Sequence, residues 1–150
     1  INTILDGVWE CDGLDICHGL TEIELWGEWY DIEGTTYIDL RNQELTGIIP
    51  PEIGCLTNLT YLNLKHNELV GEIPSEIGNL THLDNLILHR NQFTGPIPSE
   101  IGNLINLTYF DINGNQLSGE IPQELCDLIE SNNLPINGIT NFNNLINTCE

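Results

Sequence analysis

Basic residues are almost missing from this chain. It holds three Lys and Arg against 23 Asp and Glu, for a formal net charge of −20. A nucleic-acid-binding role is excluded because neutralising phosphates requires clustered cations, and a polybasic contact with a membrane is excluded on the same grounds. The acidity indicates either solubility or life in salty or calcium-rich surroundings, or else attraction of a basic partner or of divalent ions.

Methionine, a signal segment and long apolar runs are absent too. No apolar run approaches the roughly 18 residues of a membrane span. Because the sequence begins with neither Met nor a basic-then-apolar segment, we expect a mature product or an excerpt of a longer chain. The 150 residues correspond to one domain, and a hydrophobic content of 40% is enough for a continuous core. No nucleophile elbow, zinc-protease helix or phosphate loop occurs, so we expect neither an enzyme nor a cofactor.

One phrase recurs four times at a spacing of 24 residues. Its apolar positions fall into three columns, namely Leu40, Leu64, Leu88 and Ile112, then Leu45, Leu69, Phe93 and Leu117, then Ile49, Ile73, Ile97 and Ile121. A glycine and a proline recur with the same spacing, at Gly47, Gly71, Gly95 and Gly119 and at Pro50, Pro74, Pro98 and Pro122. A fixed short period is typical of a solenoid, in which each unit buries its apolar face only by stacking on its neighbours.

Each part of the phrase LxxLxLxxNxLxGxIPxxIGxL predicts a local structure. The LxL core predicts a short strand that pairs with the same strand of adjacent units, in a parallel sheet with a spacing of about 4.8 Å. The amides of Asn67, Asn91 and Asn115 can satisfy buried backbone groups, whereas Gln43 at this position predicts a looser turn in the first unit. The Ile-Pro pair predicts an extended outer stretch, and PSEIGNL predicts one helical or 3-10 turn.

Four units fill residues 35–128, and both ends of the chain depart from them. Residues 1–34 are expected to form an N-terminal cap and a first strand of the main sheet, TEIELW at 21–26, which alternates apolar and acidic residues. Residues 129–150 are expected to form a C-terminal cap. Its last irregular coil would rest on Ile139, Phe142, Leu145 and Ile146. The whole chain is therefore expected to be a single domain.

The repeat resembles the plant-type extracellular leucine-rich repeat of receptor-kinase ectodomains and polygalacturonase-inhibiting proteins. The LxGxIP segment carries the resemblance over residues 35–128, and CHGLTEIELWG at 17–27 is similar to the end of that family's N-terminal cap. The resemblance implies an α/β solenoid with a cap at each end. Its right-handed arc would have a parallel concave sheet, a short second sheet beside it, and 3-10 or short helical turns on the convex side.

Side chains between the leucines of each strand are expected to line the concave face, and they include every Lys and Arg of the chain. The candidate contact residues are Trp26, Tyr37, Asp39, Arg41, Tyr61, Asn63, Lys65, His66, Asn85, His89, Arg90, Tyr109 and Asp111. Tyrosines beside cations are typical of an interface. Alternatively, the cations only neutralise Glu24, Asp39 and Asp111 on neighbouring rungs. His66 and His89 lack a third ligand, so we expect no metal site there.

Five cysteines cluster toward the two ends and favour an oxidising, extracellular compartment. Cys11 and Cys17 have the spacing of a small disulfide loop. We predict a second bond between Cys126, which replaces the glycine of the repeat, and Cys149. Cys55 then remains as a free or half-buried thiol, although five cysteines allow other pairings.

Two further surface features concern sugars and calcium. Asn58, Asn79 and Asn106 each begin a glycosylation sequon, which has meaning only in a eukaryotic secretory route. The outer wall carries a column of carboxylates at Glu52, Glu76, Glu100 and Glu124. This column indicates solvation in the first place and weak calcium binding in the second.

The leading hypothesis is a non-enzymatic, monomeric binding module that presents its concave face to a protein, a peptide or a glycan. The runner-up is a structural or surface-display domain whose function is its rigid acidic surface. Polygalacturonase inhibition is the family-specific version of the first hypothesis. Ice or mineral adhesion is a further alternative, but it requires a flat, regular array of Thr or Asn that the mixed columns do not supply. Charge reversal of Arg41, Lys65 and Arg90 distinguishes binding from display.

Overall fold

The chain runs from an N-terminal hairpin through four coils to a helical lid, in a computed structural model that describes residues 16–149. The strands are β1 (Glu22–Leu25), β2 (Glu28–Asp31), β3 (Tyr37–Asp39), β4 (Thr46–Gly47), β5 (Tyr61–Asn63), β6 (Glu68–Gly71), β7 (Asn85–Ile87), β8 (Gln92–Gly95), β9 (Tyr109–Asp111), β10 (Gln116–Glu120) and β11 (Asn144–Ile146). The helices are α1 (Gln123–Asn132) and α2 (Asn137–Thr140), and 3-10 turns span Pro51–Cys55, Ser75–Asn79 and Ser99–Asn103.

Two parallel sheets run along the stack of coils. The main sheet has the order β3-β5-β7-β9, and every strand pairs with the strand one coil away, for example Leu62 with Leu86. The second sheet has the order β11-β10-β8-β6-β4. A 3-10 turn follows each of the first three strands of the second sheet, and α1 follows the fourth. These elements confirm the predicted α/β solenoid.

The leucine columns form one continuous core. In the second coil, seven apolar side chains are at most 3% exposed, namely Leu59, Leu62, Leu64, Leu69, Ile73, Ile77 and Leu80. Each buried side chain of this size contributes about 1.5–3 kcal/mol relative to an exposed one. Phe93 and Phe110 occupy leucine positions in later coils and are also buried. Stacking in register therefore gives each coil the core that it cannot form alone.

A ladder of buried asparagines links adjacent coils by hydrogen bonds. The side-chain oxygen of Asn91 accepts a hydrogen bond from the amide of Leu69, and its amide donates to the carbonyls of Leu64 and Leu88. One side chain thus satisfies backbone groups of two adjacent coils. Asn67 and Asn115 repeat the arrangement, and Asn143 extends it into the C-terminal lid. These amides therefore satisfy buried backbone groups, as predicted, and each of them does so in two adjacent coils.

The N-terminal strand does not join the main sheet, so that prediction is wrong. β1 pairs antiparallel with β2, with Leu25 opposite Glu28. Their connection is two residues long, Trp26 and Gly27, and both have positive φ, at 50° and 87°. Such a turn reverses the chain tightly, whereas a parallel neighbour would need a long crossover. The main sheet therefore has four rungs instead of five among residues 16–149.

Disulfides attach both ends of the described chain to the coils. Cys17 pairs with Cys55, with a Cα–Cα distance of 5.4 Å, so the predictions of a Cys11–Cys17 bond and of a free Cys55 are wrong. The reason is that Cys55 ends the 3-10 turn of the first coil, which lies beside the N-terminal hairpin. Cys11 itself lies outside the described residues. The predicted bond between Cys126 and Cys149 is present.

The C-terminal lid forms a last, irregular coil. Ile112 donates its amide to the carbonyl of Gly138, and β11 adds a fifth strand to the second sheet. Ile139 is fully buried and Leu145 packs against the core, but Phe142 is 85% exposed and Ile146 is 59% exposed, contrary to the prediction. Phe142 has a φ of 55° where the chain turns, and this conformation directs it away from the core. Between residues 16 and 149 there is no helix with the length and apolarity needed to cross a membrane.

Candidate functional site

The strand face consists of the outward side chains of β3, β5, β7 and β9 and of the residues just after each strand. Its first row is Tyr37, Tyr61, Asn85 and Tyr109, and its second row is Asp39, Asn63, Ile87 and Asp111. Backbone pairing continues beyond the strands, because the amide of His66 donates to the carbonyl of His89 at 2.9 Å and that of Arg90 donates to Asn113 at 2.8 Å. All the predicted contact residues except Trp26 therefore lie on one face, although Asn63 is only 2% exposed and offers almost no surface for contact.

The tyrosines form an ordered aromatic row. The rings of Tyr37 and Tyr61 are stacked, with their centroids 4.5 Å apart and their planes 10° from parallel. The hydroxyl of Tyr37 donates to Asp39, and the amide of Asn63 donates to the hydroxyl of Tyr61. Desolvation and the nearby Asp39 raise the pKa of Tyr37, and desolvation and Asp111 raise that of Tyr109. These side chains therefore remain neutral and present flat apolar surface with a polar tip.

The cations of the strand face divide into paired and unpaired groups. Arg41 Nε lies 3.5 Å from Asp39 Oδ2, and His89 Nδ1 lies 3.5 Å from Asp111 Oδ1. For Arg41, neutralisation of a neighbouring carboxylate explains the charge, whereas His89 forms an ion pair with Asp111 only when its ring is protonated. Lys65 and Arg90 are within 4.0 Å of no carboxylate in the part of the chain that the structure describes. Two of the three basic side chains are thus left without an ion pair.

Two histidines lie between these unpaired cations. The rings of His66 and His89 meet edge to face, with centroids 5.5 Å apart. Desolvation, followed by repulsion from Arg90, Lys65 and His89, lowers the pKa of His66. Desolvation also lowers the pKa of His89, opposed by Asp111 and reinforced by Lys65 and Arg90. Both rings are therefore held in their neutral form more strongly than free imidazole.

An open depression of about 400 Å³ lies at the edge of the strand face, and it includes residues that the sequence analysis did not select. Its lining residues are Asn42, Glu44, His66, Asn67 and Glu68. The first coil turns differently here, since Gln43 is exposed and Glu44 has a φ of 55°. Among residues 16–149, no group of three or more His, Cys, Asp or Glu side chains is arranged to hold a metal ion.

Trp26 has a different position from the one predicted. Its indole Nε1 donates to the carbonyl of Ile48 at 3.2 Å, and the ring is half-buried against the core. Ile48 follows β4, which belongs to the second sheet. Because Trp26 forms the hairpin turn, it covers the edge of that sheet instead of extending the row of Arg41 and Lys65. Another hairpin residue, Trp29, is 65% exposed and lies opposite Glu24 on β1.

Comparison with known proteins identifies the repeat. The family model described as Leucine Rich Repeat matches residues 34–56, 58–80, 82–104 and 106–128, which together make up more than half of the chain. No curated protein sequence matches the chain. Solved structures do match. The ectodomain of the plant membrane receptor kinase GASSHO1/SCHENGEN3 from Arabidopsis thaliana, in complex with CASPARIAN STRIP INTEGRITY FACTOR 2, is 39% identical over 62% of this chain and 11% of that one, with a TM-score of 0.61.

Two further Arabidopsis structures are similar. The receptor kinase HAESA, in complex with the peptide hormone IDA and the co-receptor SERK1, is 34% identical over 75% of this chain and 18% of that one, with a TM-score of 0.62. The BIR3–SERK2 complex is 28% identical over 87% of this chain and 78% of that one, with a TM-score of 0.64. The chain spans only 11% to 25% of the length of four of the plant receptor chains that it matches. It belongs to the leucine-rich repeat family, in the plant-type form whose repeats carry the LxGxIP segment.

Proposed function

We propose that this chain is a non-enzymatic module that binds a protein or a peptide through its strand face. The observation that carries the proposal is the register of four coils, which collects three of the four tyrosines, several amides and every Lys and Arg of an acidic chain on one strip. Exposed tyrosines beside cations have the composition of binding hot spots. Tyr37 is 60% exposed and Tyr109 is 42% exposed, so both rings have surface to offer.

The size of the strip suits a short segment of a partner. Four rungs at about 4.8 Å extend over roughly 15 Å between the outer strands. An extended peptide covers this distance with about five residues. Three quarters of this chain is similar to part of HAESA, and the structure of HAESA contains a bound peptide hormone. This likeness supports a peptide or a protein loop as the ligand.

An extracellular location fits the chemistry of the chain. The two disulfides within residues 16–149 suit an oxidising compartment, and the similar structure of GASSHO1/SCHENGEN3 is a receptor-kinase ectodomain. Glycosylation of the sequons is less well supported at two sites. The amides of Asn58 and Asn106 donate to the carbonyls of Glu33 and Thr81 in the preceding coil, and this structural use accounts for the asparagines.

The alternative is a display domain whose acidic surface is its function. A partner captured from the native extract and identified by mass, then titrated as a pure protein, distinguishes the two. We expect the double variant Tyr61→Ala/Tyr109→Ala to weaken binding by about thirtyfold or more, because each aromatic anchor contributes about 1–2 kcal/mol or more. The matched control, Glu76→Gln/Glu100→Gln on the outer wall, should bind like the wild type. Equal binding by all three proteins, or no specific capture, would favour display.

A further inference from the structure

Lys65 and Arg90 are electrostatically exceptional in this molecule. Carboxylates outnumber Lys and Arg by 23 to three, yet neither of these two side chains has a carboxylate within 4.0 Å among residues 16–149. Arg41, by contrast, contacts Asp39. A fold with so many acidic groups could neutralise two cations easily. The strand face therefore keeps positive charge available at one place.

The two cations and the two histidines form a compact patch. Lys65 and His66 are consecutive, and His89 and Arg90 are the corresponding residues one coil further. The hydrogen bond from the amide of His66 to the carbonyl of His89 holds the two rungs in register at 2.9 Å. Because rungs are about 4.8 Å apart, the four side chains can reach one small group together. This cation patch comprises Lys65, His66, His89 and Arg90.

The histidines of the cation patch lie where added negative charge would change their protonation. Desolvation, together with the positive charges of Lys65 and Arg90, lowers the pKa of both histidines and so favours their neutral form. An anion placed among the four groups reverses this balance, because a nearby opposite charge favours the charged form. Nδ1 of His89 lies 3.5 Å from Oδ1 of Asp111, which is positioned to stabilise the imidazolium.

We propose that the cation patch binds an anionic side chain of the partner peptide and that His66 and His89 take up protons when it binds. The proposal rests on the proposed function, because it assigns a chemistry to one part of the strand face. The partner segment would carry acidic residues opposite Lys65 and Arg90 and apolar residues opposite the tyrosine row. Its binding would strengthen on acidification through the pH range in which imidazole titrates.

The carboxylates around the patch limit the direction from which the ligand can approach. Glu44 lies on the rung before His66, and Glu68 follows it on the same rung, both lining the depression. Asp111 lies beside His89 and Asp39 is engaged by Arg41. At physiological ionic strength, screening over about 8 Å mutes the remaining negative charge of the molecule. Local contact with Lys65 and Arg90 therefore decides whether an anionic group binds.

A synthetic peptide with a constant charge tests the site. The probe is a rhodamine-labelled Gly/Ser peptide with three cysteic acids, whose sulfonates stay ionised at every pH used, and its control has three serines instead. Fluorescence anisotropy should show binding of the sulfonate peptide about tenfold tighter at about pH 5.5 than at about pH 8, a change that corresponds to one unit of pKa shift in total. The serine peptide should bind weakly at both.

Variants assign the effect to residues. Lys65→Met/Arg90→Met should abolish binding of the sulfonate peptide at both pH values, whereas Thr57→Asp/Asn103→Asp, which shifts the net charge by the same amount away from the strand face, should retain it. His66→Asn/His89→Asn should bind like the wild type at about pH 8 and lose the gain on acidification. In NMR titrations of the wild type, the sulfonate peptide should raise the pKa of both histidines.

Two results would overturn the inference. One is equal binding of the sulfonate and serine peptides at the lower pH, and the other is an unchanged pH response in His66→Asn/His89→Asn. The captured partner separates this failure from failure of the proposed function. If the partner requires Tyr61 and Tyr109 but tolerates Lys65→Met/Arg90→Met, the strand face binds and the anionic contact is refuted. If it tolerates both double variants, the proposed function itself fails.

Discussion

At the scale of single residues, the buried asparagines show how much one side chain can do in a repeat. Asn91 is 7% exposed and bonds one amide and two carbonyls from neighbouring coils. No apolar residue of similar size can replace these bonds, because the buried amide of Leu69 would be left unpaired and the carbonyls of Leu64 and Leu88 would each lose one of two donors. The column of asparagines is therefore a requirement of stacking rather than a binding feature.

Replacing Asn91 by Ala should lower the free energy of unfolding by about 2 kcal/mol, since it leaves the buried amide of Leu69 unpaired and removes one of the two amide donors to the carbonyls of Leu64 and Leu88. Urea unfolding followed by circular dichroism measures the change. Asn103→Ala, an exposed residue of a 3-10 turn, is the control and should stay within about 0.5 kcal/mol of the wild type. If Asn91→Ala loses no more stability than Asn103→Ala, the proposed structural role of the asparagine ladder is wrong.

The histidine pair should make stability depend on pH in a defined direction. The folded state lowers the pKa of His66 and His89, mainly by desolvation, so the unfolded chain binds these protons more readily. The contribution of these two histidines to the free energy of unfolding is constant above about pH 6.5, and it decreases as the pH falls below that value. Hence the stability advantage of the wild type over His66→Asn/His89→Asn should shrink between about pH 7.5 and about pH 5.5.

Urea midpoints of both proteins at the two pH values give the comparison. Working with differences between proteins removes the contribution of the many carboxylates, which both share. Asn85→Ala serves as the control because it removes no titratable group from the same face. An advantage of the wild type that grows on acidification would show that the imidazoles are stabilised in their charged form when folded.

At the scale of elements, the periodic part of the molecule was predictable and the two ends were not. Within residues 35–128, every strand follows from a column of leucines, because neighbouring copies impose the same environment on the same position. The hairpin of β1 and β2 has only one copy. Its signal was present in the two-residue Trp26-Gly27 connection, but alternation alone does not distinguish a parallel from an antiparallel strand.

The strand face was predictable for the same reason, and its limits were not. Register alone placed Tyr61, Lys65 and Arg90 together. The depression beside them depends on Glu44, whose positive φ belongs to a turn that the repeat pattern does not describe. The disulfide partner of Cys17 also escaped prediction. Its signal was the departure of Cys55 from the asparagine found at this position in the next two coils.

Peptide mapping tests the pairing of Cys17. Digestion after Glu without reduction should release peptide 11–22 joined to peptide 53–68, which contains Cys55, and reduction should separate them. The Cys17→Ser variant should lose this species and about 4 kcal/mol of stability by the chain-entropy estimate for a loop of this length. The 126–149 bond is an internal control in each digest. A peptide 53–68 with a free thiol would refute the assignment.

At the scale of the whole molecule, a net charge of −20 opposes compaction. Raising NaCl from about 0.02 M to about 0.5 M shortens the screening length from roughly 20 Å to 4 Å. We therefore expect the free energy of unfolding to rise by about 1 kcal/mol or more, measured as a higher urea midpoint. Calcium chloride at equal ionic strength is the comparison, and an excess effect would indicate specific calcium binding. A urea midpoint that does not change with the NaCl concentration would show that the carboxylates are too far apart to interact.

The two disulfides of the described chain determine in which compartment this protein can stay folded. In a linear stack the inner coils have two neighbours and the outermost have one, so melting starts at the extremities. The bridges from Cys17 to Cys55 and from Cys126 to Cys149 sit at those extremities. In a reducing compartment inside a cell, both disulfides would be reduced and the coils would unfold from the two ends inward. In an oxidising compartment outside the cell, both disulfides stay formed and hold the terminal coils in place.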